Sequence, residues 1–225
     1  MKEHYSIAID GPSGAGKSTL ARILARRLNF IYVDTGAIYR TVGLDAWRRG
    51  IDSRDEPGVV ALLDGIRITF ACSEGLQRME LNGEDVTEEI RAHVISRYAS
   101  DVSAMPPVRA FLLQMQRDAA AENNVIMDGR DIGTVVLPDA DMKIFLTATP
   151  EERARRRWLE LQERGEDASL EQVLADVNQR DYNDTHRAAA PLRQAEDAVL
   201  VDTTGMTLEE VSDYLETMIR EKLAL

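Results

Sequence analysis

Five short apolar runs punctuate the chain: Tyr5–Ile9, Ile31–Val33, Val125–Met127, Lys143–Ala148 and Ala198–Val201. None alternates with polar residues, so each predicts a strand of a parallel sheet covered on both faces. Between them the apolar period becomes helical. Leu20, Ile23, Leu24 and Leu28 make one stripe, with Arg22, Arg26 and Arg27 on the other side. Thr149-Pro150-Glu151-Glu152 reads as a capping box with Pro at the first helical position, and Ser169-Leu170-Glu171-Gln172 and Thr207-Leu208-Glu209-Glu210 repeat the start signal. Strand and helix in alternation predict an α/β fold, a three-layer α/β/α sandwich around a five-stranded parallel sheet with right-handed crossovers.

One stretch breaks the alternation. Ile66, Ile68, Phe70 and Cys72, then Leu76, Met79, Leu81 and Val86, follow period two, with turn signals at Ser73-Glu74-Gly75 and Asn82-Gly83. This predicts a small antiparallel meander, followed by helices over 88–101 and, after Pro106-Pro107, over 108–121. The meander and these helices are expected as an insertion, about 63–121, between the second and third strands. The core is then 1–62, 122–152 and 190–225, and 153–189 is left as a lid.

Gly11-Pro12-Ser13-Gly14-Ala15-Gly16-Lys17-Ser18 joins the first strand to the first amphipathic run and fits G-x-x-x-x-G-K-[ST] at every fixed position. Its glycines let successive backbone amides turn toward phosphate oxygens, and the following helix brings its positive end to the same anion. Residues Gly11 to Thr19 are therefore expected to bind ATP. Lys17 would reach the outer phosphates and Ser18 would ligate Mg²⁺.

Two further clusters follow strands. Asp34-Thr35-Gly36-Ala37-Ile38-Tyr39-Arg40 places Thr35 and Arg40 near the mouth of the loop, because ligands of open α/β sheets bind beyond the carboxyl ends of the strands. The same residues also read as a helix N-cap followed by a surface Arg. Asp128-Gly129-Arg130-Asp131 reads either as an Arg that binds phosphate between two orienting acids or as a turn held by an Arg–Asp pair. Further on, Arg153 and Arg157 share a helix face, whereas Glu151–Arg155 and Glu152–Arg156 can pair along the surface. Arg153 and Arg157 are thus the candidates for a transferring phosphoryl group, and Arg155 and Arg156 are expected as solvated partners. Arg164, Arg180 and Arg187 lie downstream. Closure of a lid bearing Arg153 and Arg157 would exclude water, with Gln162–Ser169 as its hinge.

Composition narrows the reading. A chain of 225 residues with 44% hydrophobic content can bury a full core, and its net charge of −12 disfavours nucleic acid as a partner. The cationic groups that hold a polyanion should therefore be gathered in one cleft. No apolar stretch is long enough to span a bilayer, and Met1-Lys2-Glu3-His4 leaves no room for a signal peptide. Cys72 is the only cysteine, which points to core filling and a reducing cytoplasm. His4, His93 and His186 do not cluster, which argues against zinc, and neither G-x-S-x-G nor N-K-x-D occurs.

Four segments together, Ile9 to Thr19, Asp34 to Arg40, Asp128-Gly129-Arg130-Asp131-Ile132-Gly133-Thr134 and Arg187-Ala188-Ala189-Ala190-Pro191-Leu192, resemble the bacterial cytidylate kinases, P-loop nucleoside monophosphate kinases. Thr35 stands where some of that family have Ser. The resemblance implies Mg²⁺-dependent phosphoryl transfer from ATP to CMP or dCMP, catalysed by Lys17, Arg130, Arg153 and Arg157. It further implies that Arg40, Arg130 and Arg187 hold the CMP phosphate, that Ser100, Arg109 and Asp131 read cytosine, and that Arg180 and Asp184 face the ribose. Thr35 would join them, the insertion would be the monophosphate-binding lobe, and a monomer is expected. The competing readings are a kinase of the shikimate or gluconate type, a regulatory ATP-binding module and a nucleic-acid-stimulated NTPase.

Overall fold

The computed structural model describes residues 3–73, 76–163 and 165–225. The five apolar runs form β1 (Ser6–Asp10), β2 (Ile31–Asp34), β6 (Val125–Gly129), β7 (Met142–Thr147) and β8 (Val199–Asp202), all parallel in the order β2-β6-β1-β7-β8. Alternation along the strands divides the apolar side chains between two cores. Ile7, Ile9, Ile126, Ile144 and Leu146 face α1 (Lys17–Leu28) and α8 (Leu208–Leu223). Ala8, Val33, Val125 and Met127 face the other way, against α2 (Thr35–Arg48), α3 (Glu56–Leu63) and the insertion.

The meander is β3 (Ile68–Ser73), β4 (Leu76–Leu81) and β5 (Glu84–Asp85), antiparallel throughout. Glu74 and Gly75 of its first turn signal lie outside the described residues, as do Met1, Lys2 and Arg164. Met79 and Leu81 enter the same core as Ile38 and Val42 of α2, so the insertion and the sheet share one apolar interior.

Several boundaries depart from the periodicity. The helix expected over 88–101 is a 3-10 turn at Glu89–Arg91, an extended Ala92, and then α4 (His93–Val102). Pro106 and Pro107 begin α5 (Pro106–Glu122) rather than precede it, because their missing N–H groups cost nothing in a first helical turn. α3 carried no clear apolar stripe, yet it forms behind Asp55, whose side chain accepts from Gly58 N–H. After β6, residues Ile132–Val136 make a single π-helical turn.

α6 (Pro150–Glu163) and α7 (Leu170–His186) form an antiparallel hairpin with its own small core of Ala154, Leu161, Val173 and Val177. The segment Gln162–Ser169, expected as a hinge, joins the tips of these helices and does not connect the hairpin to the sheet. The Thr207 box is complete, but at Thr149 only the Glu152 N–H to Thr149 Oγ1 half forms. Glu152 is instead taken by both Arg155 and Arg156, in place of the expected Glu151–Arg155 pair. Arg156 also donates to Thr203 Oγ1 and O, so it is a tether between the hairpin and the loop after β8 and not a solvated side chain. No helix among the described residues is long and apolar enough to cross a membrane.

Candidate active site

All five strands are parallel, so the segments after β1, β2 and β6 emerge from one edge of the sheet. The β1 segment is wedged in place. A Cβ on Gly11 would sit 1.9 Å from the Leu146 carbonyl oxygen of β7, a contact that only glycine avoids. Gly16, with φ 86°, caps α1 without any side-chain bond, which leaves the positive end of that helix facing the loop. Lys17 Nζ donates to Pro12 O at 2.7 Å and is buried. Burial, reinforced by the Arg130 charge, pulls its ammonium down to about 7 against the attraction of Asp128, Asp184 and Asp10.

Arg153 supports the loop from behind. It is 3% exposed, and its guanidinium donates to Ala148 O at 2.9 Å and Ser13 O at 3.0 Å and holds the Asp181 carboxylate at 2.5 and 3.0 Å. One side chain therefore joins the end of β7, the loop and α7.

Asp128, at the end of β6, sits beside Ile9 and Asp34 in the sheet register. It accepts from Ser18 Oγ at 2.8 Å and Tyr32 OH at 2.9 Å, while Thr35 Oγ1 donates to its carbonyl at 2.7 Å. Burial raises the Asp128 carboxyl, and the nearby Asp34 charge adds to the rise. Asp10 accepts the Ile132 and Gly133 N–H groups at 2.8 and 2.7 Å, and burial pushes it up to about 6. Ser18 Oγ and Asp128 Oδ2 are hard oxygen donors of the kind Mg²⁺ takes beside phosphate oxygens and water. No cluster of three or more His, Cys, Asp or Glu groups suited to a metal occurs among the described residues.

Beyond the loop, guanidiniums pair with carboxylates, in one case within a segment and otherwise from distant ones. Asp34 accepts Ala37 N–H at the start of α2 and Arg40 Nη2 at 2.7 Å. Arg130 Nε donates to Asp184 of α7 at 2.7 Å. Asp131 is held by Arg109 of α5 through a short contact and by Arg187 at 3.4 Å, and Arg109 lies 5.5 Å from the Tyr39 ring centroid. Burial raises the Asp131 carboxyl even against the charges of Arg109, Arg187 and Arg130, and it lowers Arg180 and Arg187. Loop and guanidiniums face one cleft of about 460 Å³, lined by eight cationic side chains and five carboxylates. On a chain of net charge −12, that is a local positive site for a polyanion.

The family model for cytidylate kinase matches residues 7–221. This chain belongs to the cytidylate kinase family. A cytidylate kinase of Geobacter sp. (strain M21) is 54% identical over 97% of this chain and 94% of its own length. That of Caldicellulosiruptor saccharolyticus is 52% identical over 92% of this chain and 91% of its own. A solved structure of an uncharacterized protein from Eubacterium ventriosum shares the fold alone, with a TM-score of 0.54 and 12% identity over 96% of this chain and 98% of that one.

In this cytidylate kinase family member the cleft gathers Ser13, Gly14, Gly16, Lys17, Ser18 and Thr19 from the loop. It also gathers Thr35, Arg40, Ser100 and Arg109, Arg130 and Asp131, and Arg157, Arg180, Asp184 and Arg187. Gly11, Pro12, Ala15 and Arg153 are not among its lining residues. The sequence did not single out Arg22, Tyr39 or Glu160, which do line it, and Asp128, expected only to orient Arg130, lines it as well. Arg22 had a signal, since it falls one helical turn after Ser18 and donates to the Ser18 carbonyl at 3.1 Å. Asp128 was quoted within its motif, but the convergence of Ser18 and Tyr32 on it is tertiary and has no signature in spacing.

Proposed function

We propose that this chain transfers the γ-phosphoryl group of ATP to CMP or dCMP, giving ADP and CDP or dCDP. The observation that carries the reading is a single cleft with a phosphate-cradling loop and Lys17 at one side and the Arg109–Asp131–Arg187 cluster at the other. Cytosine offers a 4-amino donor beside the N3 and O2 acceptors, which suits Asp131 as acceptor and Arg109 as donor. Ser100 completes the base site, and Arg180 with Asp184 faces the ribose.

The acceptor is a phosphate monoester, so its attacking oxygen is already anionic and needs no general base. One of its oxygens forms a bond to the γ-phosphorus as the bond to the β,γ-bridging oxygen breaks. The protein's work is to align two polyanions and neutralise charge in the transition state. Arg40, Arg130 and Arg187 hold the acceptor phosphate beside Thr35. Lys17 follows charge that migrates toward the β-phosphate, and Arg157 neutralises the transferring group. Arg153 acts through the loop, by fixing Ser13. Ser18 and Asp128 would hold Mg²⁺, which neutralises donor phosphate oxygens when bound. The insertion (63–121) serves as the acceptor lobe, and the hairpin (153–189) closes over both nucleotides. A monomer in the cytoplasm completes the proposal.

A coupled assay at fixed ATP and Mg²⁺ with CMP, dCMP, UMP and AMP, and with hydroxyl acceptors of the shikimate and gluconate type, tests it. Turnover is expected with CMP or dCMP well above the rest. Turnover confined to a hydroxyl acceptor overturns the reading.

A further inference from the structure

β2 is an edge strand of the parallel sheet, so among the described residues no strand pairs with one side of its backbone. Successive peptide groups point to opposite edges, and residues 32 and 34 therefore present their backbone groups to the same, outer edge. Both are met by side chains of the meander. The Cys72 thiol donates to Tyr32 O at 3.2 Å, and the Gln77 amide brackets Asp34, its Oε1 accepting Asp34 N–H at 2.6 Å and its Nε2 donating to Asp34 O at 3.3 Å. Cys72 and Gln77 are direct cross-strand partners in the β3–β4 register, so one rung of the hairpin grips the end of β2. Burial pushes the Cys72 thiol up to about 11, which keeps its proton available for that bond.

Asp34 is where this grip meets the cleft. Its Oδ1 caps α2 through Ala37 N–H at 2.9 Å, and its Oδ2 holds Arg40 Nη2 at 2.7 Å. Arg40 Nε is buried and has no hydrogen-bond partner among the described residues. The guanidinium is thus anchored by one nitrogen and retains donors for a ligand. A side chain on Asp34 can hold Arg40 at a fixed place only if the Asp34 backbone is itself fixed, and at this open edge Gln77 meets both its N–H and its C=O.

We propose that Gln77 is a positioning residue for the acceptor subsite. Through the backbone of Asp34 it sets where the Arg40 guanidinium and the first turn of α2 stand, and so how tightly the monophosphate is held. This gives the meander a role in the reaction without contact with substrate. It rests on the reading of Arg40 as a ligand of the acceptor phosphate.

The test compares three full-length variants. Gln77→Met keeps the length of the side chain and removes both bonds to Asp34, together with a bond from Nε2 to Met79 Sδ at 3.0 Å. Its KM for CMP is expected to rise about five- to tenfold, while the KM for ATP stays within about twofold and the melting temperature falls by only a few degrees. Gln77→Glu can still accept from Asp34 N–H but cannot donate to Asp34 O, so an intermediate rise is expected. A KM for CMP that stays at the wild-type value in folded Gln77→Met overturns the proposal, as does a parallel rise in both KM values, which marks a merely structural role. If Gln77→Met does not fold, an unchanged KM for CMP in Gln77→Glu overturns it. Arg40→Ala separates the two levels: an unaffected KM for CMP there removes the reading of Arg40, whereas a large effect there with none in the Gln77 variants removes only the role of Gln77.

Discussion

The two ends of the cleft are built by different means. The proposed donor end is one contiguous loop, residues 11–19, which offers mainly backbone amides and whose shape is imposed by close approach to β7. The proposed acceptor end is assembled from side chains on α2, α4, α5, the β6 exit and α7, of which Arg40, Arg109, Arg130 and Arg187 pair with carboxylates. Backbone amides recognise any polyphosphate, and so they supply affinity with little selectivity. Side chains placed by tertiary contacts can read a particular base. The generic half of the reaction is local in sequence, and the selective half is not.

The largest effect should come from the donor end. Lys17→Ala is expected to remain folded and to lose about 10²-fold or more in kcat, because charge developing on the β-phosphate loses its counter-ion. Near-normal turnover in that variant would break the contrast outright, since the loop would then be no more than a binding platform.

At the acceptor end, Asp131→Asn replaces an acceptor-only group with an amide that can also donate to uracil O4. The ratio of kcat/KM for CMP over UMP is expected to shrink by about 5- to 150-fold, with little change in ATP affinity. A carboxylate that served only to orient Arg109 and Arg187 would lower both values together, and an unchanged ratio would move base selection to Ser100 and Arg109.

Arg153 sharpens the boundary between the two ends, because it binds loop and hairpin at once. Arg153→Lys keeps the charge but loses the planar fork that serves Ser13, Ala148 and Asp181 together. A rise of about tenfold in the KM for ATP is expected, with a smaller change for CMP. Equal rises would show that the hairpin, more than the loop, depends on this side chain.

The smallest effect is a proton. Lys17 is pulled down to about 7 by burial, so at pH 8 the free protein holds it mostly neutral. A bound polyphosphate favours the ammonium, and ATP binding at pH 8 should take up close to one proton, an uptake that fades below about pH 6. Calorimetry at pH 8 in two buffers of different ionisation enthalpy reads this directly, and identical heats would contradict it.

The same division explains what the sequence made legible. The loop and the five strands stand out because their signals are contiguous, with fixed glycines or a run of apolar residues. The meander was visible through its period of two and Asn82-Gly83. Arg153 was paired with Arg157 because i,i+4 spacing puts both on one face, but spacing says nothing of length and direction beyond Cβ. Arg153 turns back into the protein to reach Ser13, while Arg157 lines the cleft. Glu152 was legible as half of a capping box, yet two guanidiniums outcompete a backbone N–H for its carboxylate. Gln77 carried no signal, because its partner lies 43 residues away and is a backbone.

The private core of the α6–α7 hairpin has a mechanical consequence. A body whose apolar residues are buried within itself can change its angle to the rest of the molecule without uncovering oily surface to water. The insertion, which shares Met79 and Leu81 with the sheet, lacks that freedom. What joins the hairpin to the rest of the molecule is polar: ion pairs of Arg130 with Asp184 and Arg187 with Asp131, and hydrogen bonds of Arg153 with Ser13 and Arg156 with Thr203. The cost of the proposed swing is therefore that of parting polar pairs and not of wetting apolar surface, and because the two ion pairs are largely buried, dissolved salt weakens them little.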